Sequence, residues 1–147
     1  MEGDKRCSGC KVVKPITEFS RIPKMVDGRA NWCKSCLKKY SVERHKREPD
    51  YFAAISRRKN RELRLEVLTY YSGGPPTCAC CGENHFEFLA IDHINGGGNK
   101  HRKEVGTSTM YNWLRKHNFP EGFRVLCHNC NLAIGFYGTC PHETEQR

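Results

Sequence analysis

The 147-residue chain is 37% hydrophobic and 28% charged, carries a formal charge of +9 and contains 10 cysteines. So little apolar material excludes a large single core, and no apolar run approaches a membrane span (Phe88-Leu89-Ala90-Ile91 is typical). The charged start Met1-Glu2-Gly3-Asp4-Lys5-Arg6 has no apolar segment behind it, which argues against a secretory signal and predicts a cytoplasmic chain whose reduced cysteines bind metal instead of forming disulfides.

The first predicted element is a four-cysteine framework, Cys7-x-x-Cys10 and Cys33-x-x-Cys36, with 22 residues between the pairs. Each C-x-x-C turn offers two soft ligands, and two turns complete the tetrahedron that zinc prefers. Residues 1–40 are therefore expected to form a zinc-ribbon-like module.

Residues 41–71 read as a basic helical linker, interrupted at Pro49, which cannot donate a helix hydrogen bond. Leu63, Val67, Tyr70 and Tyr71 follow helical spacing and predict one apolar stripe. The run Arg57, Arg58, Lys59 and Arg61 is a candidate nucleic-acid backbone contact, against the plainer reading of a solvated helix face. Ser72-Gly73-Gly74-Pro75-Pro76 ends the helix and marks the boundary of a domain over 72–147. Residues 1–71 hold 18 Lys/Arg against 9 Asp/Glu, whereas 72–147 hold 7 of each. That asymmetry assigns docking on a polyanion to the first half and chemistry to the second.

The second half opens another framework, Cys78-x-x-Cys81 and Cys127-x-x-Cys130, with 45 residues between the pairs. One structural Zn²⁺ per framework gives two per chain. Cys80 and Cys140 are left over: Cys80 could exchange with a neighbouring ligand, and Cys140 packs or stays free. Phe86 to Ile91 reads as a strand and Asn95-Gly96-Gly97-Gly98-Asn99 as a loop. His101, Arg102 and Lys103 behind it either set cations against a phosphate or form a solvated loop. Met110, Trp113, Leu114 and His117 mark a short amphipathic helix capped by Thr107 or Ser108. Phe123 to Leu126 is a second strand, and the last cysteine pair opens a final short helix, with His128 a bystander inside it. Without its insertion this half is strand, strand, helix, clamped by zinc: a small α+β zinc protein.

Two segments carry chemistry. Ile91-Asp92-His93-Ile94-Asn95-Gly96-Gly97-Gly98 and Val125-Leu126-Cys127-His128-Asn129-Cys130-Asn131 resemble the HNH (ββα-metal) endonucleases. The likeness is to the zinc-bearing branch typified by endonuclease VII and its small phage-encoded homologues. Those also tend to carry a tail like Phe136-Tyr137-Gly138-Thr139-Cys140-Pro141-His142. The resemblance covers about residues 78–142. It implies metal-dependent cleavage of DNA, with His93 as general base and Asp92 and Asn131 holding a catalytic Mg²⁺ or similar cation; a phage-encoded member would act in the host cytoplasm.

The residues make chemical sense by themselves. Phosphodiester hydrolysis needs a water, a base to deprotonate it and a cation to stabilise developing charge. An imidazole with an ordinary pKa of about 6.5 is mostly neutral at pH 7 and suits the base. The amide oxygen of Asn131 and a carboxylate suit a hard cation that keeps several of its waters. A strand-end histidine alone would make a structural hydrogen bond, and an aspartate beside a Gly/Asn loop would cap a turn; Asp-His joined to Cys-x-x-Cys-Asn favours chemistry. One position departs from the family pattern, Gly122 standing where the central asparagine often stands; the third signature position is Asn131 and not histidine, as in the endonuclease-VII-like branch. The residue orienting His93 is therefore open, with Asn118 or a backbone carbonyl as candidates. The competing reading is a catalytically silent zinc-containing regulator that binds nucleic acid. An RNA-binding zinc module is weaker, since Trp32 is its main aromatic candidate.

Overall fold

The computed structural model describes residues 3–106 and 109–144 and shows a small α+β protein built from three two-stranded sheets and six α-helices among those residues. Its two compact units meet in the sequence between Ile55 and Ser56, inside the stretch read as a linker.

In the first unit, β1 (Asp4–Arg6) pairs antiparallel with β2 (Val13–Pro15), and β3 (Phe19–Arg21) with β4 (Arg29–Cys33). Helix α1 (Lys34–Arg47) starts directly from β4. Cys7, Phe19 and Cys33 are fully buried and make up the core of this unit, far too little apolar surface to hold a fold without a staple. The second cysteine pair of this module begins a helix, whereas a zinc ribbon would place it in a hairpin turn. Cys33 takes the extended N-cap position of α1, so Cys36 falls in the first helical turn.

Glu48 interrupts the helical run, and α2 (Pro49–Ser72) begins at Pro49 itself. Proline is tolerated at a first helical position because its missing N–H would have no partner there. The buried residues of α2 are Leu63, Val67 and Leu68. Leu68 thus takes the place expected for Tyr70, which is exposed and stacks on Phe119 with ring centroids 4.3 Å apart.

The second unit is built on β5 (Leu89–His93) and β6 (Phe123–Cys127), antiparallel and in unbroken register from Leu89↔Cys127 to His93↔Phe123. Phe86–Phe88, expected as strand, is a single 3₁₀ turn ahead of β5. Helices α3 (Gly98–Val105) and α4 (Met110–Lys116) fill the insertion, and α5 (His128–Tyr137) follows β6 directly. The expected loop is thus shorter: Gly96 and Gly97 adopt positive φ and α3 starts at Gly98. Thr107 and Ser108, the expected caps of α4, lie outside the described residues. Thr109 caps it, its hydroxyl accepting from the Asn112 N–H at 3.3 Å. A last short helix, α6 (Pro141–Thr144), ends the described chain. One core joins Leu68, Leu89, Val125 and Leu126 to buried cysteines, Cys140 among them; a second joins Leu63, Val67 and Leu114. No helix among the described residues is long and apolar enough to cross a membrane.

Candidate active site and metal centres

Both expected four-cysteine sets are assembled. The sulfurs of Cys7, Cys10, Cys33 and Cys36 lie within 4.8 Å of one another, and so do those of Cys78, Cys81, Cys127 and Cys130. Four sulfurs bound to one zinc at about 2.3 Å sit roughly 3.8 Å apart. The Cys7–Cys36 and Cys81–Cys127 separations are 3.8 and 3.7 Å. Either set could hold zinc.

The two sets are built by one local plan. In the first turn the Cys7 N–H donates to the Val12 carbonyl, and the N–H of Lys11, with φ of 63°, donates back to the Cys7 carbonyl. In the second, the Cys78 N–H donates to the Glu83 carbonyl, and the N–H of Gly82, with φ of 79°, returns to Cys78. The partner pair opens a helix in both, with Cys33 capping α1 and Cys127 capping α5. Backbone N–H groups consequently face sulfur: Cys33 donates to Cys7 Sγ at 3.2 Å and Cys130 to Cys127 Sγ at 3.4 Å.

These donors govern ionisation. Burial opposes the Cys7 thiolate, but the N–H groups of Cys33, Cys10 and Gly9 bring its pKa down to about 6. The Cys33 sulfur, followed by burial, pushes Cys36 up to about 12. Against burial, the N–H groups of Cys81, Cys127 and Cys80 bring Cys78 to about 7, whereas burial and then Cys127 raise Cys130. Zinc binding to either set would release thiol protons.

A cleft of about 840 Å³ opens in the second unit, and Asp92, His93, Asn99, Arg102 and Asn131 are among its lining residues. Strand β5 delivers Asp92 and His93 at its end, and Asn131 lies in the first turn of α5, one residue after Cys130. The antiparallel register sets Arg124 opposite Asp92, and its Nε donates to Asp92 Oδ2 at 2.9 Å. His93 Nε2 lies 2.8 Å from His101 Nδ1, and Phe123 packs against the His93 ring at 4.7 Å. On the opposite nitrogen, a Cβ at Gly98 would stand 3.3 Å from His93 Nδ1; glycine there keeps that nitrogen uncrowded. Burial first, then the neighbouring His101 and Arg102, lowers the His93 pKa below its ordinary 6.5 against the pull of Asp92.

The hydrogen bond between the rings links their tautomers. For Nδ1 of His93 to take up a proton, Nε2 must carry one and donate it to His101 Nδ1. The proton of a neutral His101 then sits on Nε2, which is buried without a hydrogen-bond partner among the described residues. Trp113 packs edge-to-face on His101, 4.1 Å away at 81°, an arrangement in which a ring N–H can meet a π face.

For a hard cation the donor chemistry fits: Asp92 Oδ1 has no hydrogen bond among the described residues, and Asn131, which carries an amide oxygen, lines the same cleft. Arg124 competes for the carboxylate. The groups of three or more His, Cys, Asp or Glu that could hold a metal among the described residues are all rich in thiols, and none includes Asp92 or His93.

The remaining expected residues are spread out. Arg57, Arg58, Lys59 and Arg61 are exposed on α2; Arg58 pairs with Glu62 at 3.7 Å and Arg61 with Glu87 at 3.3 Å. Arg102 lines the cleft and Lys103 is exposed outside its lining. His101, expected beside them in a basic loop, is half-buried and turned to His93, because residues 98–105 are helical and aim its ring inward. Asn118 is exposed in the turn after α4 and does not orient His93. At Gly122 the backbone carbonyl accepts from Ile94 N–H at 3.0 Å and closes the end of the hairpin. The spacing of His93 and His101 signals their pairing only once a helix is known to start at Gly98. Comparison with protein-family models, curated proteins and solved structures finds no match for this chain.

Proposed function

We propose that the chain is an HNH-type endonuclease that hydrolyses phosphodiester bonds in DNA, with two structural zinc ions and one catalytic divalent cation such as Mg²⁺. The observation that carries this reading is the convergence of Asp92, His93 and Asn131 on one cleft, with one His93 nitrogen held by His101 and the other uncrowded.

His93 acts as general base through Nδ1, and its lowered pKa keeps it unprotonated at neutral pH. His101 is a positioning residue that fixes ring and tautomer. Asp92 and Asn131 would hold the cation, which supplies charge stabilisation at the phosphate and the leaving oxygen when bound. Arg102, which lines the cleft, would add positive charge for the phosphate. Zinc at the second cysteine set ties Cys127 and Cys130, and with them Asn131, to the segment leading into β5.

The ion pair between Asp92 and Arg124 favours a second reading, a catalytically silent zinc protein that binds nucleic acid, since a paired carboxylate is a weaker cation ligand. Supercoiled plasmid decides between them. The endonuclease reading expects nicked or linear product with Mg²⁺, Mn²⁺ or Ni²⁺ and none when the added cation is omitted. Omission is preferred to chelation, which would also strip thiolate-bound zinc. Binding without product under all three cations would leave the silent reading.

A further inference from the structure

The two cysteines outside both frameworks come together around a ligand of one of them. Cys80 lies in the turn between Cys78 and Cys81, and Cys140 follows the left-handed Gly138 that ends α5. Cys80, Cys130, Cys140 and His142 place their ligand atoms within 4.8 Å of one another. His142 Nδ1 lies 3.4 Å from both the Cys130 and the Cys140 sulfurs. Cys130 and Cys140 are 0% and 1% exposed, so solvent does not explain an imidazole nitrogen turned onto two sulfurs. Packing alone leaves it unexplained too, because His142 is exposed and contributes nothing to the core.

We propose that Cys80, Cys130, Cys140 and His142 form a third zinc site, in which the Cys130 sulfur bridges two ions of a dinuclear cluster. Three thiolates and an imidazole are a recognised structural zinc set. A thiolate sulfur bound to one zinc keeps lone pairs for a second, so sharing Cys130 needs no further ligand. Two Zn–S bonds of about 2.3 Å meeting near the tetrahedral angle put the ions roughly 3.8 Å apart.

The charge balance also favours the second ion. The set of Cys78, Cys81, Cys127 and Cys130 with one Zn²⁺ carries −2. A second Zn²⁺ brings +2, and the protons leaving Cys80 and Cys140 add −2, so the cluster keeps the same charge. The buried Cys140 thiol and the half-buried Cys80 thiol become two metal–sulfur bonds, and the two protons go to solvent. The structural consequence is that the Cys140-Pro141-His142 tail is pinned to the turn carrying Cys78 and Cys81. The inference rests on the zinc reading of the thiol clusters and not on the nuclease reading.

Native mass spectrometry of the full chain purified with zinc tests it. Three zinc ions per chain are expected, falling to two in the Cys80→Ser/Cys140→Ser variant. Two or fewer ions in the wild type, or three retained in the variant, would overturn the proposal. A measurement on the wild-type chain alone guards against a variant that fails to fold. After exchange with ¹¹³Cd, three resonances are expected, two of them split by coupling through the shared sulfur. Two resonances, or three without such coupling, would overturn the bridge.

Discussion

His93 sits between two groups with opposite duties: His101 fixes Nε2, and the missing side chain at Gly98 leaves Nδ1 room. Loss of a general base costs typically 10²–10⁴-fold in rate and nothing in docking. In the proposed mechanism the acidic limb of the kcat/KM profile reports the His93 pKa, which lies below the ordinary 6.5. Cleavage should therefore persist as pH falls through 6.5 and fail only at more acidic values. In His101→Ala the Nε2 of His93 loses the partner that fixes its ring and tautomer, so kcat should fall with DNA affinity unchanged. An unchanged kcat in this variant would refute the positioning role. Asp92, His93 and Asn131 were legible as a local pattern of residue types. The His101 contact was not, because it depends on where α3 starts, and the Arg124 pairing was not, because it needs the register of two strands more than thirty residues apart.

At the scale of elements, a cysteine turn and a helix N-terminus recur as a unit, and in the first set they meet closely at Gly9. A Cβ at Gly9 would stand 3.2 Å from the Cys36 Cβ and Sγ and 3.3 Å from the Trp32 ring. Gly9→Ala should cost about 1–3 kcal/mol through overpacking. It should also weaken zinc in the first set while leaving the second intact, which a thiol-competition titration of zinc release reads out. Equal release from both sets would show that Gly9 carries no such role. The sequence revealed the strand, strand, helix order of the second half and the break at Pro49 because each has a local cause. It did not reveal that Phe86–Phe88 is a 3₁₀ turn, since aromatic content alone does not separate a turn from a strand. Nor did it show that Leu68 is buried and Tyr70 exposed, because only packing against the rest of the second unit decides which flank of the stripe is covered.

Across the whole molecule, the unit boundary redistributes the charge. Residues 56–147 contain 12 Lys/Arg against 9 Asp/Glu, so the basic run at 57–61 belongs to the unit that holds the cleft. A fragment of residues 56–147 should fold with its zinc. One starting at 72 loses the buried side chains of Leu63, Val67 and Leu68, each worth about 2–5 kcal/mol, and should melt without a cooperative transition. Two folded fragments of equal stability would contradict this. Arg58 and Arg61 are already paired with Glu62 and Glu87, so Arg57 and Lys59 are the members best placed to meet phosphate. In the full chain, Arg57→Gln with Lys59→Gln should reduce the log–log salt slope of DNA affinity by about 0.9 for each phosphate left without its cation, read by fluorescence anisotropy; an unchanged slope would assign that charge to another task. The central claim is that the cleft around His93 cuts DNA. Its most direct test is single-turnover cleavage of supercoiled plasmid with Mg²⁺ by the wild type and by His93→Ala, matched for zinc content and DNA affinity. The wild type should cut, and the variant should lose at least about 10²-fold in rate; equal rates, or no cleavage by either protein, would contradict a nuclease centred on His93.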